Sequence, residues 1–272
     1  MEVKRISGAL GAEILGVDLG GDLADETVAA IRRAFLEHLV VFFHDQPLTP
    51  AQFMAFARRM GKPIEYPLVK GIAGFPEVIE VKKLEHERHN FGGLWHSDTA
   101  YLENPPMGSM LLAREVPPYG GDTEFANQYG AYETLSEGMR KLLDGLVAIN
   151  ASTKADATRT REDRMKEQGH EIRQFLAEHP VVRTHPETGR KALYVNVGHT
   201  VRFKDMTEEE SAPLLEFLYR HQVRPELTCR FRWRVGSLAF WDNRCTQHNP
   251  LNDYHGHRRV MHRITLSGDK PR

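Results

Sequence analysis

Cysteine is scarce. The chain has 272 residues and two thiols, Cys229 and Cys245, neither in a CxxC pair. That excludes a disulfide framework and leaves a reducing, cytoplasmic setting as the expectation. Long apolar runs are missing too. No stretch approaches the ~20 apolar residues that span a bilayer. The opening "MEVKRISGALGAEILGVDLG" lacks the apolar core of a signal peptide, so no membrane partner is expected. Charge of one sign is not in excess: 36 Lys and Arg against 37 Asp and Glu give a net charge of −1. Such a balance offers no polyanion-binding surface, so no nucleic-acid partner is expected. Internal repeats and low-complexity linkers are absent. What remains is an ordinary globular composition, 40% hydrophobic and 27% charged.

Periodicity and punctuation give the elements. "DETVAAIRRAFLEH" (25–38) puts Val28, Ile31, Phe35 and Leu36 on one helical face, with Asp25 as its expected N-cap. "VVFFHDQ" reads as a buried strand. Thr49-Pro50 reads as N-cap and first residue of a helix ending near Gly61. "EVIEVKK" and 105–114 are extended, and "VPPYGGDTEF" is a turn followed by a strand. Ser136 caps a helix that stops near Gly145. Residues 151–179 are so charged that they read as a solvated excursion or a lid. "VVRTHPETGRKALYVN" reads as a hairpin. Thr207 and Glu210 form a capping box for a helix through about Arg220. "LTCRFRWRVGSLAFWDN" holds two strands with a turn at Val235-Gly236. Many short strands among a few helices point to a mainly β, α+β chain: two sheets, or a barrel, with helices outside.

Chemistry enters with "GGLWHSDTAY". On a strand His96 and Asp98 share a face, so both can reach one metal. The pair alone is a weak signal, and a structural hydrogen-bonded pair is the commoner explanation. His248, in "FWDNRCTQHNP", supplies a third ligand; two histidines and one carboxylate are the set of non-haem Fe(II) oxygenases, which keep positions open. His86, His89, His185, His199, His255, His257 and His262 are rivals for that third place. In "GHRRVMHR" a strand puts Arg259 and Arg263 on one face with Met261. Arginine gives a carboxylate a fixed two-point contact.

These residues, with "PPMGSMLLAREVPPYGGDT" and "RRVMHR" in this order, resemble the taurine dioxygenase (TauD/TfdA) family over nearly the whole chain. The resemblance implies one domain over residues 1–272, folded as a double-stranded β-helix, the cupin-like jelly roll. It implies Fe(II), 2-oxoglutarate and O2 as cofactor and co-substrates, with succinate and CO2 released as a C–H bond is hydroxylated. His96, Asp98 and His248 match the iron ligands. Thr123 and Arg259 match the residues that bind 2-oxoglutarate. Arg263 matches an arginine facing the substrate's anionic group. Retention of Asp98 favours hydroxylation over halogenation.

Positions that line the taurine pocket depart from the family. They fall at Tyr66, Val69, Gly92 and His199, with another near Asp156; Thr99 joins this expected substrate-facing set. A dedicated taurine enzyme is therefore not expected. Gly92 and Gly93 either widen the pocket or simply turn the chain. The expected substrate is a small anion: a sulfonate, an alkyl sulfate ester, an aryloxyalkanoate or another carboxylate. Desaturation or cyclisation at the same iron remains an alternative, as does a non-catalytic binding protein. A homodimer or homotetramer is the expected assembly.

Overall fold

The computed structural model describes residues 1–67, 69–90, 92–154 and 174–272. In chain order its elements are β1 (Glu2–Arg5), β2 (Ala12–Leu15), α1 (Asp25–His38), β3 (Val40–Phe43), α2 (Pro50–Met60), β4 (Pro63–Ile64), β5 (Val78–Lys83), β6 (Gly108–Glu115) and β7 (Thr123–Asn127). Then come α3 (Gln128–Glu133), α4 (Glu137–Leu143), β8 (Val147–Ala151), β9 (Leu176–Pro180), β10 (Val182–Thr184), β11 (Lys191–Leu193) and β12 (Thr200–Phe203). The chain closes with α5 (Glu208–His221), β13 (Thr228–Phe231), β14 (Leu238–Asp242), β15 (Thr246–Pro250) and β16 (Arg259–Leu266).

The large sheet runs β1-β2-β3-β14-β6-β16-β4, with β5 also paired to β16. Period-2 alternation assigns its faces. Val41, Phe43, Met110, Leu112, Leu238, Phe240, Ile264 and Leu266 pack under Ile31, Phe35, Phe53, Phe56 and Met60 of α1 and α2. Their neighbours Val40, Phe42, Leu111, Ala113, Ala239, Trp241 and Met261 turn the other way. There they meet Phe125, Cys229 and Phe231 of a second sheet, β13-β7-β15, with Trp233 just beyond β13. The Phe42 and Phe231 rings stack across this gap at 4.1 Å. Each such apolar side chain, once buried, contributes roughly 1.5–3 kcal/mol. A third cluster seats α3, α4 and α5 near the β12-β8-β9 sheet through Leu143, Ala148, Phe203, Leu215 and Leu218.

The helix caps show which local signals hold. Thr49 and Gln52 form a reciprocal capping box, with Pro50 in the first turn of α2. Thr207 and Glu210 do the same for α5, and the Ser136 hydroxyl accepts from Met139 N–H at α4. At α1 the N-cap is Ala24, with no side-chain cap; Asp25 is the first helical residue. Its carboxylate pairs with Arg59 of α2 instead.

The two expected strands around Val235-Gly236 are present, and they belong to different sheets. β13 and β14 flank the turn at Val235-Gly236 but do not pair with each other: β13 pairs β7, while β14 pairs β3 and β6. That turn carries the chain from one sheet to the other. The expected excursion at 151–179 falls largely outside the described residues, as does Asp156. Its far end is structured, since Leu176–Pro180 is a strand on β8. There Ala177 and His179 are buried and Leu176 and Glu178 exposed, the alternation that the charge around it concealed.

Candidate metal and co-substrate site

The space between the two sheets is lined with polar groups where inward positions alternate with outward ones. On β15, His248 points inward, while Gln247 points away and its amide donates to Val195 O. On β7, Thr123 and Phe125 face inward, and on β16 Arg259 and Arg263 do. These residues, with Val81, His96, Leu111, Trp233, Trp241 and Pro250, line one cavity.

His96 and Asp98 reach it by a route other than the expected strand. His96 makes an isolated antiparallel bridge with His248: His96 N–H donates to His248 O at 3.1 Å and His248 N–H to His96 O at 2.9 Å. This directly opposed pair brings the two imidazoles to 4.2 Å between centroids. Ser97 Oγ then donates to Thr246 O at 2.7 Å. Asp98 lies in the following turn, its N–H on Asn243 Oδ1 at 3.3 Å. Thr99 completes the turn with φ +43°, a conformation most residues avoid.

The ligand atoms converge. Asp98 Oδ1 is 3.4 Å from His96 Nε2 and 3.8 Å from His248 Nε2. His96 Nδ1 faces Leu94 O at 2.7 Å. A carbonyl only accepts, so Nδ1 carries a proton and Nε2 is the atom turned toward Asp98 and a metal. Asp98 Oδ2 is engaged elsewhere, accepting from Ser109 Oγ at 2.7 Å and pairing with Arg263 Nη2 at 2.8 Å. Burial alone would raise Asp98, but Arg263, His248 and His96 hold it well below the usual carboxylate range. Burial, aided by His96 and Arg263 against the pull of Asp98, drives His248 well below the usual imidazole range. One carboxylate and two imidazoles, each presenting one atom, fit a divalent iron with open positions.

Deeper in the cavity Arg259 is 5% exposed, and its Nε and Nη2 have no hydrogen-bond partner among the described residues. Its guanidinium lies over the Trp233 ring at 5.6 Å, and Trp233 Nε1 donates to Thr123 Oγ1 at 3.0 Å. A buried guanidinium with idle donors is costly unless an anion joins it. This corner fits a carboxylate.

The expected substrate-facing residues spread around His96. His199 meets His96 edge-on at 5.9 Å and Tyr101 at 4.9 Å. Tyr66 receives the Arg263 guanidinium over its ring at 5.3 Å and packs with Tyr101 and Ile79, Val69 lying against that cluster. Gly92 has φ +76°, and a Cβ there would sit 2.9 Å from His96 Cε1. Its missing side chain therefore serves close approach to the ligand imidazole. Arg263 does not stand free before the cavity: it is engaged with the metal-facing carboxylate.

Of the rival histidines, His86, His89 and His255 are exposed, and His257 bonds Tyr119 OH. His185 does converge with Asp242 and Cys245. Those atoms are already committed. His185 Nδ1 accepts from the N–H groups of Glu187 and Thr188, so Nε2 donates to Asp242 Oδ2 at 3.0 Å. Arg244 forks onto both Asp242 oxygens. This is a buried ionic support under β14. Reading the sequence missed Ser109 and Asn243, which hold Asp98, and Trp233, which holds Thr123. A lone serine at an inward position of an otherwise apolar strand was the available signal.

Comparison with known proteins agrees with this geometry. The model of the taurine catabolism dioxygenase TauD, TfdA family matches residues 2–265. The chain is 37% identical to an alpha-ketoglutarate-dependent sulfate ester dioxygenase of Pseudomonas putida, covering 100% of this chain and 91% of that one. It is 35% identical to an alkylsulfatase of Acinetobacter baylyi, covering 99% and 86%. A solved taurine dioxygenase structure from Burkholderia xenovorans superposes with a TM-score of 0.84 at 39% identity, covering 99% of this chain and 92% of that one. The chain belongs to the TauD, TfdA family of taurine catabolism dioxygenases.

Proposed function

We propose that the chain uses Fe(II), 2-oxoglutarate (alpha-ketoglutarate) and O2 to hydroxylate a small anionic substrate, by preference the sulfate-bearing carbon of an alkyl sulfate ester. One observation carries the reading. Two members of a metal-ready trio, His96 and His248 with Asp98 beside them, share a cavity with a buried arginine whose donors lack an acceptor among the described residues. A dicarboxylate co-substrate answers both ends of that cavity. The facing sheets support the finer description as a double-stranded β-helix, or jelly roll, formed by one domain.

In this reading His96 Nε2, His248 Nε2 and Asp98 Oδ1 hold the iron. Iron bound there with its co-substrate would supply the oxidising chemistry that hydroxylates a C–H bond. Arg259 and Thr123 hold the far carboxylate of 2-oxoglutarate. Arg263 and Ser109 fix the second Asp98 oxygen, so one oxygen only is presented to the metal. Tyr66, Tyr101 and His199 form an aromatic wall beside His96. That wall suits an apolar chain behind an anionic head. Hydroxylating the carbon of a sulfate ester gives a hemiacetal-like product; its C–O bond to sulfate breaks, leaving an aldehyde and inorganic sulfate. The relatives named for sulfate esters and alkyl sulfates support this choice.

The test is succinate formation that requires both O2 and substrate, across alkyl sulfates, sulfonates and aryloxyalkanoates. Alkyl sulfates should give the fastest turnover, with one sulfate released per succinate. Failure of every anion to stimulate succinate release would overturn the reading.

A further inference from the structure

The Trp233 indole separates two spaces. One face of its neighbourhood is the inner cavity with Thr123 and Arg259; the other is a surface groove that it lines with Tyr119, Arg232 and Arg234. Inside, it touches both residues assigned to the far carboxylate. Its Nε1–H donates to Thr123 Oγ1, and its ring underlies the Arg259 guanidinium.

The hydrogen-bond inventory gives that contact a direction. Indole nitrogen only donates, so Thr123 Oγ must accept. The hydroxyl proton of Thr123 then points elsewhere, and it has no acceptor among the described residues. Arg259 Nε and Nη2 are likewise idle. Three donors without a partner among the described residues therefore meet in one corner. We propose that Trp233 is a positioning residue for the co-substrate: by donating to one lone pair of Thr123 Oγ1 it orients the hydroxyl so that its proton, with the idle Arg259 donors, is offered to a carboxylate in this corner. This rests on the reading of Thr123 and Arg259 as the seat of the far carboxylate of 2-oxoglutarate.

Trp233→Phe keeps the aromatic face under Arg259 and the wall toward the groove, and removes only the N–H. The experiment is calorimetry of N-oxalylglycine, a non-reacting analogue of 2-oxoglutarate, binding to the Mn(II)-loaded full chain, with Mn(II) affinity and melting temperature measured alongside. Trp233→Phe should weaken the analogue about fivefold, the effect of one lost orienting hydrogen bond. Mn(II) affinity should not move. In a cycle with Thr123→Val, the double variant should bind no more weakly than Thr123→Val alone, because the indole acts through the hydroxyl. In steady state, KM for 2-oxoglutarate should rise in Trp233→Phe with kcat unchanged at saturation. Additive losses in the cycle, or wild-type affinity in Trp233→Phe, would overturn the role of Trp233. If the wild-type protein binds no analogue at all, it is the seat itself, and with it the proposed function, that fails.

Discussion

Asp98 Oδ2 and Arg263 Nη2 lie 2.8 Å apart, each side chain 5% exposed or less. The pair shares the oxygen that Ser109 Oγ donates to, which leaves Oδ1 alone toward the two imidazoles. The arginine thereby does for the carboxylate what Leu94 O does for His96: it fixes which atom is offered to the metal. Supports of this kind typically change metal affinity by 10–100-fold. Arg263→Gln should therefore lose roughly 10–100-fold in Mn(II) or Co(II) affinity, measured by titration of the metal-free protein. An unchanged metal affinity with only a raised substrate KM would show that Arg263 serves the substrate alone.

Arg259 offers a second, separable test. Its two idle donors form a planar fork, and a lysine ammonium cannot reproduce that contact. Arg259→Lys should raise KM for 2-oxoglutarate by roughly tenfold or more, as expected for a lost charge-assisted hydrogen bond. Metal affinity should stay as it is, because Arg259 touches none of the three ligands. Normal co-substrate kinetics in this variant would remove Arg259 from the site.

Much of this arrangement was legible in the chain, for identifiable reasons. The strand that holds Arg259 and Arg263 alternates with period 2, so their shared face follows from the sequence, whereas Thr123 is placed by the family resemblance and His248 reads as lying after a strand. The Thr49 and Thr207 caps act within four residues and depend on nothing distant. His96 and Asp98 were found as a pair, but the strand assumed for them is a single bridge and a turn. That bridge is made with β15, far along the chain, and no local pattern reports it. The same holds for Arg263: its parity was readable, but its partner was not. Asp98 lies outside the sheet, and only the packed turn brings its second oxygen to the guanidinium. Asp25 shows the limit from the other side, since a good capping residue pairs with Arg59 when the neighbouring helix offers an arginine.

Gly92 sets a steric condition on the site. Its φ of +76° suits glycine, and an added Cβ would press on His96 Cε1 at 2.9 Å and on Nε2 at 3.3 Å. Gly92→Ala combines backbone strain of about 1–2 kcal/mol with displacement of the ligand ring. Gly92→Asn relieves the backbone, since asparagine tolerates that region, but keeps the Cβ contact. Both variants should lose metal affinity, with the larger drop in melting temperature for alanine. Equal metal affinity in wild type and both variants would show that the loop yields without moving His96.

The thiols should be inert in the folded protein. Burial pushes Cys229 up to about 12 and Cys245 well above the usual thiol range. Only the thiolate reacts quickly. Native protein at pH 8 should show no fast reaction with a disulfide reagent such as Ellman's, and denatured protein should give two equivalents. Rapid labelling of the native chain would place a thiol at the surface.

Acid should destabilise the chain through Asp242. Its carboxylate is 1% exposed and receives both Arg244 and His185. Burial opposes ionisation, but Arg244 and then His185 bring Asp242 below the usual carboxylate range. A group whose folded pKa is depressed binds fewer protons folded than unfolded. Its stabilisation is complete above the unfolded carboxylate pKa of ~3.9. It is lost progressively as pH falls below that value toward the folded one. Asp242→Asn removes the titrating group and leaves the buried Arg244 with Glu187 as its remaining ion-pair partner. Breaking a buried pair should cost about 3–5 kcal/mol at pH 7. Between pH 5 and 3, the melting temperature of the variant should fall less steeply than that of the wild type. Parallel slopes would mean that other carboxylates, Asp98 foremost, carry the acid transition. Scanning Asp98→Asn beside Asp242→Asn separates the two, because each variant removes one of the buried titrating carboxylates.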